Sequence, residues 1–247
     1  MKALVLSAGY ATRLYPLTIN TSKPLLKVAN KPVINYIIEN LETDKEINLI
    51  YVITNNKFHK DFLQWHKENR FKKPVKIIND GSTSEENRLG AIGDISFAIK
   101  KEKIKEDLLI IAGDNLFQIN INNLVSYFKE KDSTIIVTRI FDDLEVMKSY
   151  GNVFVDANNK VISFEEKPQN PKTNLAAACL YIIPKNKLKQ INAYLKEKNN
   201  PDAPGFLMQW LYRKEDVYAF KSSDTFFHIG NKEQLEEANR YFSSLLP

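Results

Sequence analysis

Arg13 and Lys23 are the charged residues of a stretch otherwise built from polar, small and apolar side chains, running from Leu6-Ser7-Ala8-Gly9-Tyr10-Ala11-Thr12-Arg13 to Ser22-Lys23-Pro24-Leu25-Leu26. Minimal side chains at Ser7, Ala8, Gly9 and Ala11 let backbone N–H groups come close to a bulky anion. Thr12 adds a hydroxyl donor. Arg13 offers a planar fork of donors that suits phosphate oxygens, and Lys23 brings a second positive charge. A set of this kind can bind and neutralise a polyphosphate. A plain strand-to-loop corner with one exposed Arg would use similar residues. The spacing is neither the dinucleotide fingerprint G-x-G-x-x-G nor the phosphate loop G-x-x-x-x-G-K-[ST].

Three further groups could carry chemistry. Gly113-Asp114-Asn115 follows the apolar run Leu108–Ala112. An Asp at the carboxyl end of a buried strand can hold Mg²⁺ against phosphates, though G-D-N is also ordinary turn chemistry. In Phe164-Glu165-Glu166-Lys167-Pro168, alternation puts Phe164 and Glu166 on one face and Glu165 and Lys167 on the other. A surface ladder of charges would read the same way. Asp80 to Arg88 is a polar loop leading to Gly90, in which Arg88 suits a ligand or solvent equally.

The elements that must position these residues alternate along the first part of the chain. Apolar runs at 2–6, 49–53, 75–78, 108–112 and 134–140 read as strands, separated by helical periodicity over 33–41, 58–71, 89–99 and 121–131. This predicts an α/β fold with a doubly wound, mostly parallel sheet and helices on both faces. Ligands of such sheets sit beyond the carboxyl ends of the strands, where 7–13, 80–88 and 113–115 all fall. Past residue 140 the rhythm changes to a hairpin (153–155 and 161–164), a strand (175–183), helices at 185–198 and 205–213, and short strands at 217–220 and 226–229. A closing amphipathic helix spans Lys232 to Leu246. The expected organisation is a single domain: an α/β core over 1–140, a small β-rich lobe over 141–230, and the closing helix over 231–247.

The string LSAGYATRLYPLT…SKPLL resembles the N-terminal signature of the sugar-1-phosphate nucleotidylyltransferases, L-A-G-G-x-G-T-R-L-x-P-L-T…K-P, with Ala8 and Ala11 in place of two glycines. The resemblance extends to about Arg240. It implies a Rossmann-like nucleotidyltransferase fold and the transfer of a nucleoside monophosphate from an NTP to a sugar 1-phosphate, with release of pyrophosphate. It also implies that the core over 1–140 binds nucleotide and the lobe over 141–230 binds sugar. By the same likeness Arg13 and Lys23 are catalytic, and Leu6, Ala8, Gly9, Tyr10, Ala11, Thr12, Arg13, Asp80, Arg88 and Gly90 bind the nucleotide. Asn115, Tyr150, Gly151, Glu166, Lys167 and Tyr181 hold the sugar phosphate; Glu166 and Lys167 belong to an E-E-K-P string. Asp114 is a Mg²⁺ ligand. The string GDNLF is similar to the thymidylyltransferase branch, so dTTP or UTP with glucose 1-phosphate is expected. A cytidylyl- or guanylyltransferase with another phosphorylated acceptor is the alternative.

The main departure from the family is at His228. Phe226-Phe227-His228-Ile229-Gly230-Asn231 stands where the family has W-x-D-I-G-T, whose Asp is the second magnesium ligand. Mg²⁺ prefers oxygen, whereas imidazole suits ions such as Mn²⁺ or Zn²⁺. Asp114 with water and phosphates would then hold the metal alone, or Mn²⁺ would be preferred. Alternatively, the chain is a nucleotide-sugar-binding regulatory subunit that turns over poorly, or His228 packs locally. Family replacement also leaves Cys179 where relatives end this strand G-I-Y; it reads as a small buried residue rather than a nucleophile.

Composition narrows the class. The 247 residues are 43% hydrophobic and 26% charged, with a net charge of +5, as expected of a globular chain that handles polyanions. The lysines are scattered rather than blocked, which argues against a nucleic-acid partner. A single cysteine permits no intrachain disulfide. No apolar run approaches a membrane span. A cytoplasmic protein without a membrane partner is expected, with homo-oligomerisation open. No hexapeptide repeat follows the last helix, so the β-helical acyltransferase domain of some relatives is expected to be absent.

Overall fold

A computed structural model describes residues 1–245. The chain adopts the expected α/β class and divides into two units.

The first unit comprises residues 1–88, 111–121 and 224–247. Its sheet is parallel: Lys2–Leu6 pairs with Leu49–Thr54, which pairs with Val75–Asn79. Leu4, Val5, Ile50, Val52 and Ile53 are fully buried, as the near-continuous apolar runs of parallel strands require. The helix Val33–Leu41 follows Pro32 and buries Val33, Ile34, Ile37, Ile38 and Leu41, one stripe at helical spacing. Trp65, from the helix His59–Glu68, donates its indole N–H to Asn35 at 2.7 Å.

Because the three strands run parallel, the loops after them emerge at one edge. Backbone bonds tie these loops together: Ser7 N–H donates to Ile53 at 2.8 Å, Asp80 N–H to Thr54 at 2.9 Å, and Gly113 N–H to Leu6 at 2.8 Å. A short strand missed by periodicity, Asn115–Phe117, pairs antiparallel with Phe226–His228, setting His228 opposite Asn115. The closing helix spans Lys232–Ser244, with the Asn231 side chain accepting from Gln234 N–H at its start. The expected end at Leu246 lies outside the described residues. Phe242 packs this helix on Tyr36, ring centroids 4.8 Å apart.

The second unit comprises residues 89–110 and 122–223. The strand Leu108–Ala112 is divided between the units. Here the order is Val161–Glu166, Gly151–Val155, Leu175–Ile183, Thr134–Ile140, Val217–Lys221. All neighbours are antiparallel except the last pair. Helices Ala91–Glu102, Lys189–Lys196 and Pro204–Leu211 pack on one another, and the last also packs on Val161–Glu166. A four-residue helix, Leu144–Met147, was not legible as periodicity; the Asp143 side chain caps it. The helix expected over 185–198 is instead a 3₁₀ turn, Lys185–Lys187, followed by Lys189–Lys196. Among the described residues no helix is long and apolar enough to cross a membrane.

Candidate active site

In the first unit, the loop after Lys2–Leu6 is braced from three sides. Asn55 donates to Ala8 O at 2.9 Å, Thr18 Oγ1 to Ala11 O at 2.7 Å, and Leu14 N–H to Ala11 O at 3.0 Å. Ala11 has φ of 51°, the left-handed conformation that glycine adopts freely. Ala11 therefore holds this conformation at a cost of about 1–3 kcal/mol. Thr12–Leu14 forms a 3₁₀ turn with Arg13 exposed.

Lys23 begins the 3₁₀ turn Lys23–Leu25. Its Nζ donates to Asp114 Oδ2 at 2.8 Å, with the two side chains 12% and 21% exposed. Gly113, just before Asp114, lets its loop lie against the end of the first strand: a Cβ there would lie 2.5 Å from Ser7 Oγ and 2.8 Å from Leu6 O. His228 Nδ1 stands 3.8 Å from Asp114 Oδ1 and 3.2 Å from Asn115 Oδ1. Burial pushes the Asp114 carboxyl up, but Lys23 and then His228 outweigh it, and the group is held below the ordinary carboxylate range. Two buried hydroxyls of these loops, Ser7 Oγ and Ser22 Oγ, have no hydrogen-bond partner among the described residues; from the sequence Ser7 reads only as a small residue of the loop, and Ser22 has no assigned role.

Asp80 and Arg88 are also in this unit. The Asp80 carboxylate is taken up by the backbone N–H and hydroxyl of Ser82. Arg88 is exposed and pairs with Glu85 at 3.3 Å. Gly90 lies in the second unit at the start of Ala91–Glu102, with φ of 74°.

The donor set allows a test of the implied metal. Among the described residues no three His, Cys, Asp or Glu side chains gather as a cage. Mg²⁺ is commonly bound through one or two carboxylates with substrate phosphates and water completing its shell. Asp114 fits that manner of binding. His228 adds a nitrogen donor better matched to a softer ion.

The second unit holds the E-E-K-P string. Glu166 ends its strand with its side chain 7% exposed, while Glu165 is exposed, as alternation requires. Burial pushes the Glu166 carboxyl up, with Lys167 opposing. Lys167 has φ of 49° and donates its backbone N–H to Tyr150 O at 3.1 Å. This bond fixes the string against Tyr150-Gly151. Tyr181 is buried, and burial together with Cys179 and Glu166 pushes its hydroxyl well up. Cys179 is half-buried rather than buried, at φ of 49°.

The nucleotidyl transferase family model matches residues 2–244. The chain belongs to that family. Among relatives of this nucleotidyl transferase, a Sulfolobus acidocaldarius protein assigned as a mannose-1-phosphate guanyltransferase is 31% identical over 194 residues, covering 78% of this chain and 51% of that protein. The bifunctional protein GlmU of Methanococcus aeolicus is 30% identical over 243 residues, covering 98% of this chain and 54% of that protein. The chain thus spans about half the length of these curated relatives. A solved structure assigned as a glucose-1-phosphate thymidylyltransferase from Bacillus anthracis, in complex with a sucrose, has a TM-score of 0.84 at 22% identity. It covers 100% of this chain and 97% of its own, which supports the nucleotidyltransferase fold.

Proposed function

We propose that this nucleotidyl transferase converts an NTP and a sugar 1-phosphate into a nucleotide sugar and pyrophosphate, with dTTP or UTP and glucose 1-phosphate as the pair. The observation that carries this reading is the Lys23–Asp114 pair at 2.8 Å beside the braced loop that leads to Arg13. A phosphate oxygen of the sugar 1-phosphate attacks the α-phosphorus. A new P–O bond forms, and the bond to the bridging oxygen breaks with pyrophosphate as leaving group. The attacker is already an anion, so no strong general base is required; catalysis is positioning and charge neutralisation.

Each residue then has a role. The 7–13 loop cradles the triphosphate, and Arg13 stabilises charge on the leaving pyrophosphate. Lys23, aimed by Asp114, neutralises charge at the α-phosphate. Asp114, with His228 nearby, would hold the divalent cation, which supplies charge neutralisation at the phosphates when bound. Lys167 holds the sugar phosphate and Glu166 the sugar hydroxyls. The test is pyrophosphate release with dTTP, UTP, CTP and GTP against a panel of sugar 1-phosphates, with Mg²⁺ and Mn²⁺ in parallel. Release with one pair supports the reading and names the substrates.

His228 in place of a carboxylate favours a second reading, a regulatory subunit that binds nucleotide sugar without turnover. Tight nucleotide binding by calorimetry with no pyrophosphate release across the panel would select it.

A further inference from the structure

The Glu166 carboxylate is buried, yet no hydrogen bond from the described residues reaches it; its nearest cation is Lys167 Nζ, 3.9 Å from Oε1. Its backbone is held instead: Glu166 N–H donates to Gln209 Oε1 at 2.7 Å. Gln209 and Gly205 lie four positions apart in the helix Pro204–Leu211, and so share one helix face. Gly205 is the second residue of this helix, and glycine is a less favourable helix residue than alanine.

A Cβ built on Gly205 would lie 1.8 Å from Glu166 Oε2, 2.5 Å from Cδ and 3.1 Å from Oε1. All three atoms belong to the carboxyl group, and none is backbone. What a side chain there would meet first is the carboxyl group and not the strand backbone. The glycine leaves the space that the carboxylate occupies. We propose that Gly205 is a positioning residue for the acceptor site: its missing side chain forms the notch that seats the Glu166 carboxylate, and with Gln209 holding the Glu166 backbone it fixes where that carboxylate meets acceptor hydroxyls. This rests on the reading of Glu166 as the ligand of the sugar.

The experiment compares the wild-type chain, G205A, E166A and the double variant. Because the atoms in the way are the far end of a flexible side chain, G205A moves the carboxylate and leaves the chain folded. Its KM for the sugar 1-phosphate rises about tenfold, the loss expected for one hydrogen bond to a charged group. The KM for the NTP and kcat at saturating acceptor stay near wild type. In the E166A background, G205A adds nothing to KM, since no carboxylate is left to displace. Thermal melts give a readout independent of activity: G205A lowers Tm in the wild-type chain and raises it in the E166A chain, where alanine is simply the better helix former. An unchanged acceptor KM in G205A, or an equal KM loss in both backgrounds, overturns the proposal while leaving the proposed reaction intact. If no substrate pair releases pyrophosphate, the proposed reaction fails, and the melts decide this proposal: equal Tm shifts in both backgrounds refute it.

Discussion

Lys23 Nζ donates to Asp114 Oδ2 at 2.8 Å across 91 positions of sequence. The contact joins a cation and a carboxylate of two loops of the first unit. It aims a flexible ammonium and keeps a partly buried carboxylate ionised.

Lys23→Ala removes a neutralising charge and leaves Asp114 without its closest cation. Turnover falls about 10²–10³-fold, the scale of losing one charge-stabilising donor. Stability falls by about 1.5–3 kcal/mol, the range for a hydrogen bond to a charged group. The pH dependence has a definite sign. Asp114 titrates below its unfolded value in the folded chain, so the pair's contribution is complete above that unfolded value, about 3.9. It is lost as pH falls through the folded value. Urea melts of both chains at pH 7 should therefore differ, and should converge as the pH drops below about 4. A constant gap would argue that the pair contributes through packing alone.

Arg13 is exposed in its 3₁₀ turn. Arg13→Ala should cut kcat by about 10²–10³ while leaving Tm near wild type. Arg13→Lys should recover only part of the loss, because an ammonium cannot reproduce the planar fork. Near-normal turnover in the alanine variant would remove Arg13 from the mechanism.

Glu166→Gln separates stability from binding. Burial holds the Glu166 carboxyl above its ordinary value, so its charged form destabilises the fold at neutral and higher pH. The glutamine variant should therefore melt higher than the wild-type chain at pH 8. The gain should vanish below about pH 4, where the carboxyl is protonated in both states. At pH 8 its KM for the acceptor should rise at least about tenfold. A variant that gains stability and loses no acceptor affinity would leave Glu166 as a packing residue.

Much of this arrangement was legible beforehand. The parallel strands of the first unit read as continuous apolar runs, and the loops after them fall at one edge because parallel strands end together. The burial of Phe164 and Glu166 on one face, with Glu165 outside, follows from alternation. What escaped was non-local. Periodicity reports which face of an element is buried, not which distant residue meets it. It therefore missed the Lys23–Asp114 pair, the register of Asn115 against His228, and the seating of Glu166 against Gly205. The strand Asn115–Phe117 was hidden by its length, and Leu144–Met147 by spanning barely one turn.

His228 gives a prediction about metal use. Its Nδ1 is 3.8 Å from Asp114 Oδ1, where a carboxylate would favour a hard cation. His228→Asp should raise the ratio of Mg²⁺- to Mn²⁺-supported rates about tenfold, because an oxygen donor replaces a nitrogen one. Pyrophosphate release titrated with each ion measures this directly. An unchanged ratio would place His228 outside the metal's reach.

The most direct measurement is ³¹P NMR of the wild-type chain with dTTP or UTP, glucose 1-phosphate and Mg²⁺, run beside Lys23→Ala. Nucleotidyl transfer predicts that pyrophosphate and a nucleotide sugar accumulate in equal amounts with the wild type, and far more slowly with the variant. Release of inorganic phosphate without a sugar product, or equal rates from both chains, would contradict it.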